Sequence, residues 1–164
     1  MSFDARTDSL DGLMLRIQDV ALDYEQRYSV VRPLRKIELS WAERDDICTF
    51  DGSNPDPLHG FDSTRWLMFR DIIVSGEARR LGLATAVLHE VADYANRNSL
   101  AVVAEFSPGF AAPLEEISSY ARWYHRLGFR TSEQSPERWQ LGTAMWRIPV
   151  TRSAERGPAT ITAN

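Results

Sequence analysis

One stretch of the sequence, from Trp66 to Tyr94, constrains the fold more than any other. It begins with an apolar segment of strand character, Trp66 to Val74, continues through a short polar loop, and passes at Gly82 into a segment with helical spacing. The N–H groups in the first turn of a helix lack partners within the helix and point outward, so this order of elements suits phosphate binding. We therefore expect an anionic ligand at the start of this helix.

The glycine pattern of the loop differs from two common nucleotide-binding motifs. No Gly-Lys-Ser/Thr follows, as a P-loop requires, and only Gly82 and Ala84 occupy the tight positions of the dinucleotide fingerprint. What remains is Arg-x-x-Gly-x-Ala, from Arg79 to Ala84. The significance of so short a pattern comes from its context, an apolar strand before it and an amphipathic helix after it.

A second block of sequence strengthens the first. Ala121 to Phe129 reads Ala-Arg-Trp-Tyr-His-Arg-Leu-Gly-Phe, in which a helix carrying Tyr124 is followed by Gly-Phe. Together the two blocks resemble the GNAT superfamily of N-acetyltransferases, whose signature is a strand, then Arg/Gln-x-x-Gly-x-Gly/Ala, then a helix that holds the pyrophosphate of acetyl-coenzyme A. The resemblance implies an α/β fold of the α+β type, with a mixed, mostly antiparallel sheet flanked by helices on both faces.

The resemblance also implies which residues hold acetyl-coenzyme A. In the family, the strand before the loop splays from its parallel neighbour, so backbone groups of Ile72, Ile73 and Val74 would bond the pantetheine arm and the thioester oxygen. Backbone N–H groups and guanidinium groups would hold the pyrophosphate, and the small residues would allow close approach. The residues assigned to the pyrophosphate are Arg79, Arg80, Leu81, Gly82, Leu83, Ala84 and Thr85, and no metal is expected.

Tyr124 is the candidate general acid for the thiolate that departs. A phenol has an ordinary pKa of about 10 and is protonated at neutral pH, so it can donate to a leaving thiolate. The alternative is an aromatic core residue that packs beside Trp123. The position of Tyr124 within Trp-Tyr-x-x-x-Gly-Phe favours the catalytic role.

Two carboxylates, Asp71 and Glu105, are candidates for the base. Asp71 follows Arg70 in a segment where spermidine/spermine N-acetyltransferases and several small-amine relatives carry Glu-Asp, and here Arg70 replaces the first carboxylate. Asp71 could bind the ammonium group or accept its proton, or it could form an ion pair with a neighbouring arginine. Glu105 ends the next predicted strand and could reach the same cleft. Many family members use only an ordered water.

One family residue has no match in the second block. The asparagine that often holds the pantetheine arm falls, by counting back from Tyr124, on Ile117, with Ser118 and Ser119 beside it. A serine hydroxyl could replace the asparagine as donor.

Composition limits the class of protein. With 164 residues, 43% hydrophobic and 26% charged, the chain fits a single domain, which we place at residues 1–150, followed by a disordered tail at 151–164. A net charge of -4 disfavours a nucleic-acid partner. The single cysteine, Cys48, excludes an internal disulfide, and neither a signal pattern nor a membrane-length apolar run is present, so we expect a cytoplasmic protein.

The remaining elements follow from periodicity and turn residues. Residues 10–28 show three-four spacing typical of a helix, with Ser9 or Asp8 as cap, but part of the segment also alternates like a strand. The other predicted elements are strands at 37–41 and 47–50, a loop at 51–63, a helix at 81–97, a strand at 100–106, a helix at 114–126, and a strand from Phe129 paired with 144–150.

The sequence thus predicts an N-acetyltransferase in which a primary amine attacks acetyl-coenzyme A directly, because Cys48 has no evident base partner for an acyl-enzyme. A small molecule, a peptide N-terminus and a protein lysine all remain open as the acceptor. Dimers are common among relatives, which keeps a homodimer open. One alternative is a non-catalytic coenzyme-A-binding or protein-interaction module with the same fold. Another, disfavoured by the acidic balance, is a toxin that acetylates aminoacyl-tRNA.

Overall fold

Three helices and four strands form the regular structure of residues 9–43, 65–107 and 114–150, the parts of the chain that the computed structural model describes. In chain order they are α1 Leu10–Tyr28, β1 Leu34–Glu43, β2 Arg65–Val74, α2 Leu83–Arg97, β3 Val102–Glu105, α3 Leu114–Arg126 and β4 Ala144–Arg147. None of these helices is long and apolar enough to cross a membrane. The predictions for 47–50, for the loop 51–63 and for the tail 151–164 lie outside the described residues.

The four strands form one sheet in the order β1-β2-β3-β4. β1 runs antiparallel to β2, β2 parallel to β3, and β3 antiparallel to β4. The parallel pair needs a crossover connection, and α2 provides it. The predicted fold class, an α/β fold with a mixed, mostly antiparallel sheet and flanking helices, is confirmed.

The segment that could have been helix or strand is the helix α1. Ser9 caps it, because its hydroxyl accepts a 3.0 Å hydrogen bond from the Gly12 N–H. Leu13 and Ile17 are fully buried on one face, whereas Leu15 between them is 62% exposed. The three-four spacing therefore decides the structure, and the local alternation does not.

Each face of the sheet carries its own apolar cluster. Side chains of β2 alternate between them, with Leu67 and Phe69 in the larger cluster and Trp66 and Met68 in the smaller one. All three helices contribute to the larger cluster. The apolar run that leads into β3 is buried throughout, because alternate residues enter opposite clusters: Val102 and Ala104 the larger, Ala101 and Val103 the smaller.

The strand predicted to begin at Phe129 is wrong. Only Arg130 pairs with β4, through a single bridge to Trp146 with N···O distances of 2.8 and 2.9 Å. The hydroxyl of Thr131 then bonds both the carbonyl and the N–H of Glu133, at 3.0 and 3.1 Å, and this local turn replaces a continuing ladder. β4 consequently takes its main partner from β3, and it ends at Arg147 instead of residue 150.

A buried arginine at the end of β4 joins the ends of the two neighbouring helices. Arg147 is 8% exposed, and its Nε donates to the Leu127 carbonyl beyond α3 at 3.0 Å. Its Nη1 donates to Oδ1 of Asn96 in the last turn of α2 at 2.9 Å, and the same oxygen accepts from the Val150 N–H. Burial lowers the pKa of the guanidinium, and the Asp93 carboxylate opposes that shift.

We expect Arg147→Ala to lower the free energy of unfolding by about 2 to 4 kcal/mol, because a buried side chain is removed, the Leu127 carbonyl loses the guanidinium donor, and Asn96 Oδ1 keeps only the Val150 N–H. Arg147→Lys should retain only part of this free energy, since an ammonium lacks the planar guanidinium geometry that reaches both acceptors. Urea unfolding measures the effect, with Arg138→Ala, an exposed arginine, as the control. Equal midpoints for Arg147→Ala and Arg138→Ala would contradict this role.

Candidate active site

β2 and β3 separate halfway along β2. Their parallel ladder has only three residue pairs and ends where Phe69 pairs with Ala104. β2 itself continues to Val74 alongside β1. The segment Ile72–Val74, which the resemblance assigns to the pantetheine arm, therefore lies beyond the last pair with β3, where one edge of β2 faces no β3 residue.

A β-bulge in β2 lies at the point of separation. Glu38 of β1 pairs with Asp71 and the next residue, Leu39, pairs with Phe69, so Arg70 is an extra residue on β2. Bulges redirect side chains and are frequent beside active sites. A cavity of about 290 Å³ opens here, which we call the strand-junction cavity, and its lining consists of Glu38, Met68, Phe69, Arg70, Asp71, Val103, Ala104, Glu105 and Ala144.

The structure brings the two candidate bases to the same cavity from neighbouring strands, Asp71 from β2 and Glu105 from β3. Glu105 is the last residue of β3 and is exposed. A third carboxylate, Glu38, lies in the same lining, and the Arg70 guanidinium beside it donates from Nε to the Ser40 hydroxyl at 3.4 Å. The cavity therefore holds three carboxylates and one guanidinium.

Asp71 already has a cationic neighbour. Its Oδ2 lies 3.4 Å from Nζ of Lys36, which also lies 3.6 Å from the Glu38 carboxylate. The ion pair considered as the alternative role of Asp71 thus forms with a lysine of β1, whereas the sequence suggests an arginine. Lys36 and Asp71 are about half exposed, so water and salt weaken the pair, and Asp71 remains able to meet a substrate ammonium.

Tyr124, on α3, belongs to a cluster of aromatic rings. The ring centroids lie 6.2 Å away for Phe106, 4.7 Å for Trp123 and 5.6 Å for Phe129. Burial raises the pKa of the Tyr124 phenol, and repulsion from Tyr120 and from the Asp71 carboxylate raises it further. The phenol therefore stays protonated, and the Asp71 carboxylate is one of the groups that oppose its ionisation.

The glycine loop forms a short 3-10 turn, Gly76–Ala78, followed by a second turn that ends at Gly82. Gly82 is the N-cap of α2 and has φ +82°, a left-handed conformation that glycine adopts without strain. The first helical bond of α2 runs from the Ala86 N–H to the Gly82 carbonyl at 3.0 Å. The N–H groups of residues 83–85 precede that bond, so they are the free donors of the first turn.

The side chains assigned to the pyrophosphate have different surroundings. Arg79 and Arg80 are exposed at the loop, whereas the Leu83 side chain is buried in the core. Leu81 and Ala84 are half-buried. The Leu81 N–H donates to the Ala78 carbonyl at 3.2 Å, so this N–H is used within the loop.

One hydrogen bond links the two sequence blocks that carry the resemblance. The indole Nε1 of Trp123 donates to the Thr85 hydroxyl at 2.8 Å. Thr85 lies in the first turn of α2, and Trp123 precedes Tyr124 on α3. The start of the glycine-loop helix and the candidate acid are thus held next to each other.

The two serines near Tyr124 differ in their exposure. Ser118 is half-buried, and the exposed Ser119 hydroxyl accepts from Arg122 at 3.4 Å. Ile117 packs against the larger cluster. The assignment of a serine to the pantetheine arm therefore stays a prediction.

Sequence reasoning missed Lys36 and Glu38. Both lie on β1, and charged residues on an exposed strand face carry no mark of function until the register shows what lies opposite them. Across residues 9–43, 65–107 and 114–150, no group of three His, Cys, Asp or Glu side chains could hold a metal ion.

No protein-family model and no curated protein matches the sequence. Among solved structures, the chain is similar to the crystal structure of histone acetyltransferase HPA2 and related acetyltransferase from Corynebacterium glutamicum, with 16% identity over 83% of this chain and 76% of that one, at a TM-score of 0.41. It is also similar to a bacterial toxin, with 14% identity over 68% of this chain and 56% of that one, at a TM-score of 0.35. Similarities of this extent do not assign an activity or a substrate to this chain.

We expect Gly82→Ala to lower the free energy of unfolding by about 1 to 2 kcal/mol, because a side chain at φ +82° is strained. Space is not the cause, since the added Cβ would lie 3.7 Å from the Tyr24 hydroxyl. Gly76→Ala is the matched control in the same loop, where no atom lies within 4 Å and φ is not positive. Thermal or urea unfolding compares them, and similar losses for both variants would contradict the backbone explanation.

Proposed function

We propose that the protein transfers an acetyl group from acetyl-coenzyme A to a primary amine. The observation that carries the proposal is the separation of β2 from β3 immediately before the Arg-x-x-Gly-x-Ala loop, at a cavity lined by Asp71 and Glu105. A thioester arm laid along Ile72–Val74 would lead from the loop to this cavity. The donor and acceptor halves of the reaction then meet where the two strands part.

The loop and α2 supply the donor half of the site. The free N–H groups at residues 83–85 and the positive end of the helix dipole attract pyrophosphate oxygens. Arg79 and Arg80 are exposed beside them and can each donate two hydrogen bonds to phosphate. Gly82, without a side chain, leaves the backbone accessible to the ligand.

The carboxylates supply the acceptor half. An amine arrives mostly as ammonium at neutral pH, and the carboxylates of the strand-junction cavity attract it. Asp71 or Glu105 accepts a proton from the nitrogen, whose lone pair then bonds to the thioester carbonyl carbon. The carbon–sulfur bond breaks, and the second nitrogen proton passes through solvent to the thiolate, which leaves as the free thiol. The carboxyl group then returns the first proton to water. No acyl-enzyme is needed.

Tyr124 assists the leaving sulfur mainly through its hydrogen bond. Because burial raises the pKa of the phenol well above that of a thiol, complete proton transfer from Tyr124 to the thiolate is uphill. A hydrogen bond to the developing thiolate lowers the barrier without that transfer. This limits the expected contribution of Tyr124 to that of one charge-assisted hydrogen bond.

We expect Tyr124→Phe to lower kcat about 10- to 100-fold and to leave the Kd for acetyl-coenzyme A within about 3-fold, because one charge-assisted hydrogen bond to the transition state is lost. Steady-state kinetics and calorimetry measure the two quantities. In the unsubstituted enzyme the raised pKa keeps the phenol protonated, so its ionisation should not lower kcat below about pH 10. An unchanged kcat in the phenylalanine variant would exclude the assignment.

We expect removal of the base, by Asp71→Asn or Glu105→Gln, to lower kcat/KM about 10- to 100-fold at pH 7, with recovery near pH 10 where the amine loses its proton without help. Glu38→Gln, in the same cavity, is the matched control for lost charge. A loss that is equal at both pH values would contradict the assignment of the carboxylate as the base. A loss at pH 7 that falls on KM and leaves kcat unchanged would assign the carboxylate to binding of the ammonium.

The direct test is the release of free thiol from acetyl-coenzyme A over a panel of small amines, N-terminal peptides and lysine peptides. Amine-dependent release supports the proposal. Tight binding of acetyl-coenzyme A without any transfer across the panel would favour a non-catalytic coenzyme-binding module.

A further inference from the structure

A second cavity, of about 600 Å³, lies at the C-terminal end of β2, where the strand meets the glycine loop. Its lining consists of Val31, Arg32, Arg35, Ser75, Gly76 and Glu77. We call it the arginine cavity. None of its residues lines the strand-junction cavity, and neither arginine belongs to the Arg-x-x-Gly-x-Ala pattern.

Arg35 is directed by a second β-bulge. Leu34 pairs with Val74 and Lys36 pairs with the adjacent Ile73, so Arg35 is the extra residue on β1. A bulged residue leaves the regular alternation of the strand, and bulges commonly set the direction of functional side chains. The bulge therefore accounts for an arginine in the wall of the cavity at this point of β1.

Arg32 is held in an unusual backbone conformation. Its φ is 46°, in the left-handed region that few residues other than glycine adopt. Pro33 follows it, and the Pro33 carbonyl accepts a 2.8 Å hydrogen bond from the Ser75 N–H. That bond fastens the loop bearing Arg32 to the end of β2. Strained residues that the surrounding structure fixes in place cluster at ligand sites.

Ser75 adds an unsatisfied polar group to the same wall. The residue is 5% exposed, and its hydroxyl is buried without a hydrogen-bond partner. A buried hydroxyl without a hydrogen-bond partner is rare, because it has lost its hydrogen bonds to water and gained none within the protein. A ligand oxygen in the cavity would supply the missing acceptor.

The charges of the cavity favour an anion. Within the described part of the chain, neither Arg32 nor Arg35 has a carboxylate within ion-pair distance, whereas Arg27 and Lys36 do. The one acidic residue of the lining, Glu77, is exposed. Two guanidinium groups beside a hydroxyl are the donors that bind phosphate oxygens in pairs.

We propose that the arginine cavity binds a phosphate monoester through Arg32, Arg35 and Ser75. Two sources carry this chemistry. One is the 3′-phosphate of coenzyme A, and this source rests on the proposed function. The other is a phosphorylated molecule that binds independently of the coenzyme.

The experiment compares coenzyme A with dephospho-coenzyme A, which lacks the 3′-phosphate, and uses inorganic phosphate as a third probe. Calorimetry gives Kd for the full chain, for Arg32→Gln/Arg35→Gln, and for Arg138→Gln, an exposed arginine outside the cavity, as the charge control. If the coenzyme is the source, the double variant binds coenzyme A about 10- to 100-fold more weakly and dephospho-coenzyme A within about 3-fold of the unsubstituted protein.

If the source is an independent molecule, inorganic phosphate binds the unsubstituted protein in the presence of saturating coenzyme A, and the double variant loses that binding. The proposal would be overturned if the ratio of the Kd for coenzyme A to the Kd for dephospho-coenzyme A were the same in all three proteins and all three bound inorganic phosphate equally. If the protein binds neither coenzyme, the proposed function is wrong. The titration with inorganic phosphate would still show whether the arginine cavity binds a phosphate group.

Ser75→Ala provides a readout that does not depend on the arginines. Removing an unsatisfied buried hydroxyl should leave the Tm of the free protein unchanged or higher, while the rise in Tm produced by the anion becomes smaller. A lower Tm in the free variant with an undiminished rise on adding the anion would show that the hydroxyl serves the fold and not the ligand.

Discussion

β2 is fixed along its whole length on one side and along only half of it on the other. β1 pairs with it from end to end, whereas β3 pairs with three residues and then stops. The long antiparallel ladder with β1 keeps the second half of β2 extended, although β3 no longer pairs with it there. Both cavities and the glycine loop depend on this rigid, one-sided strand, since each is built on or beyond its second half.

The elements of the proposed donor half of the site could be predicted from the sequence. An apolar strand, a glycine at a tight turn and a helix with three-four spacing are local signals, and β2, Gly82 and α2 appear where those signals lie. α3 was predicted for the same reason. α2 ends at Arg97, as predicted, with Asn98 as its C-cap, but it begins at Leu83 and not at residue 81, because Gly82 in the left-handed conformation is its N-cap.

The proposed acceptor half could not be predicted in the same way, because it depends on the register between strands. The bulges at Arg35 and Arg70 each add one residue to a ladder and reverse the side-chain alternation beyond it. Nothing local in the sequence marks such an insertion. The pairing of Lys36 with Asp71 and the entry of Glu38 into the cavity follow only once the bulges are known. The strand expected at Phe129 failed for a related reason, since a single threonine hydroxyl redirected the chain.

The bond between Trp123 and Thr85 has a consequence for the kind of group that the first turn of α2 can meet. An indole N–H can only donate, so it occupies one of the two lone pairs of the threonine oxygen. The hydroxyl retains its hydrogen, and its capacity to accept is halved. Thr85 therefore keeps a hydroxyl hydrogen beside the neighbouring backbone N–H groups and has only one lone pair left for a cation, so the donors of this turn outnumber its acceptors.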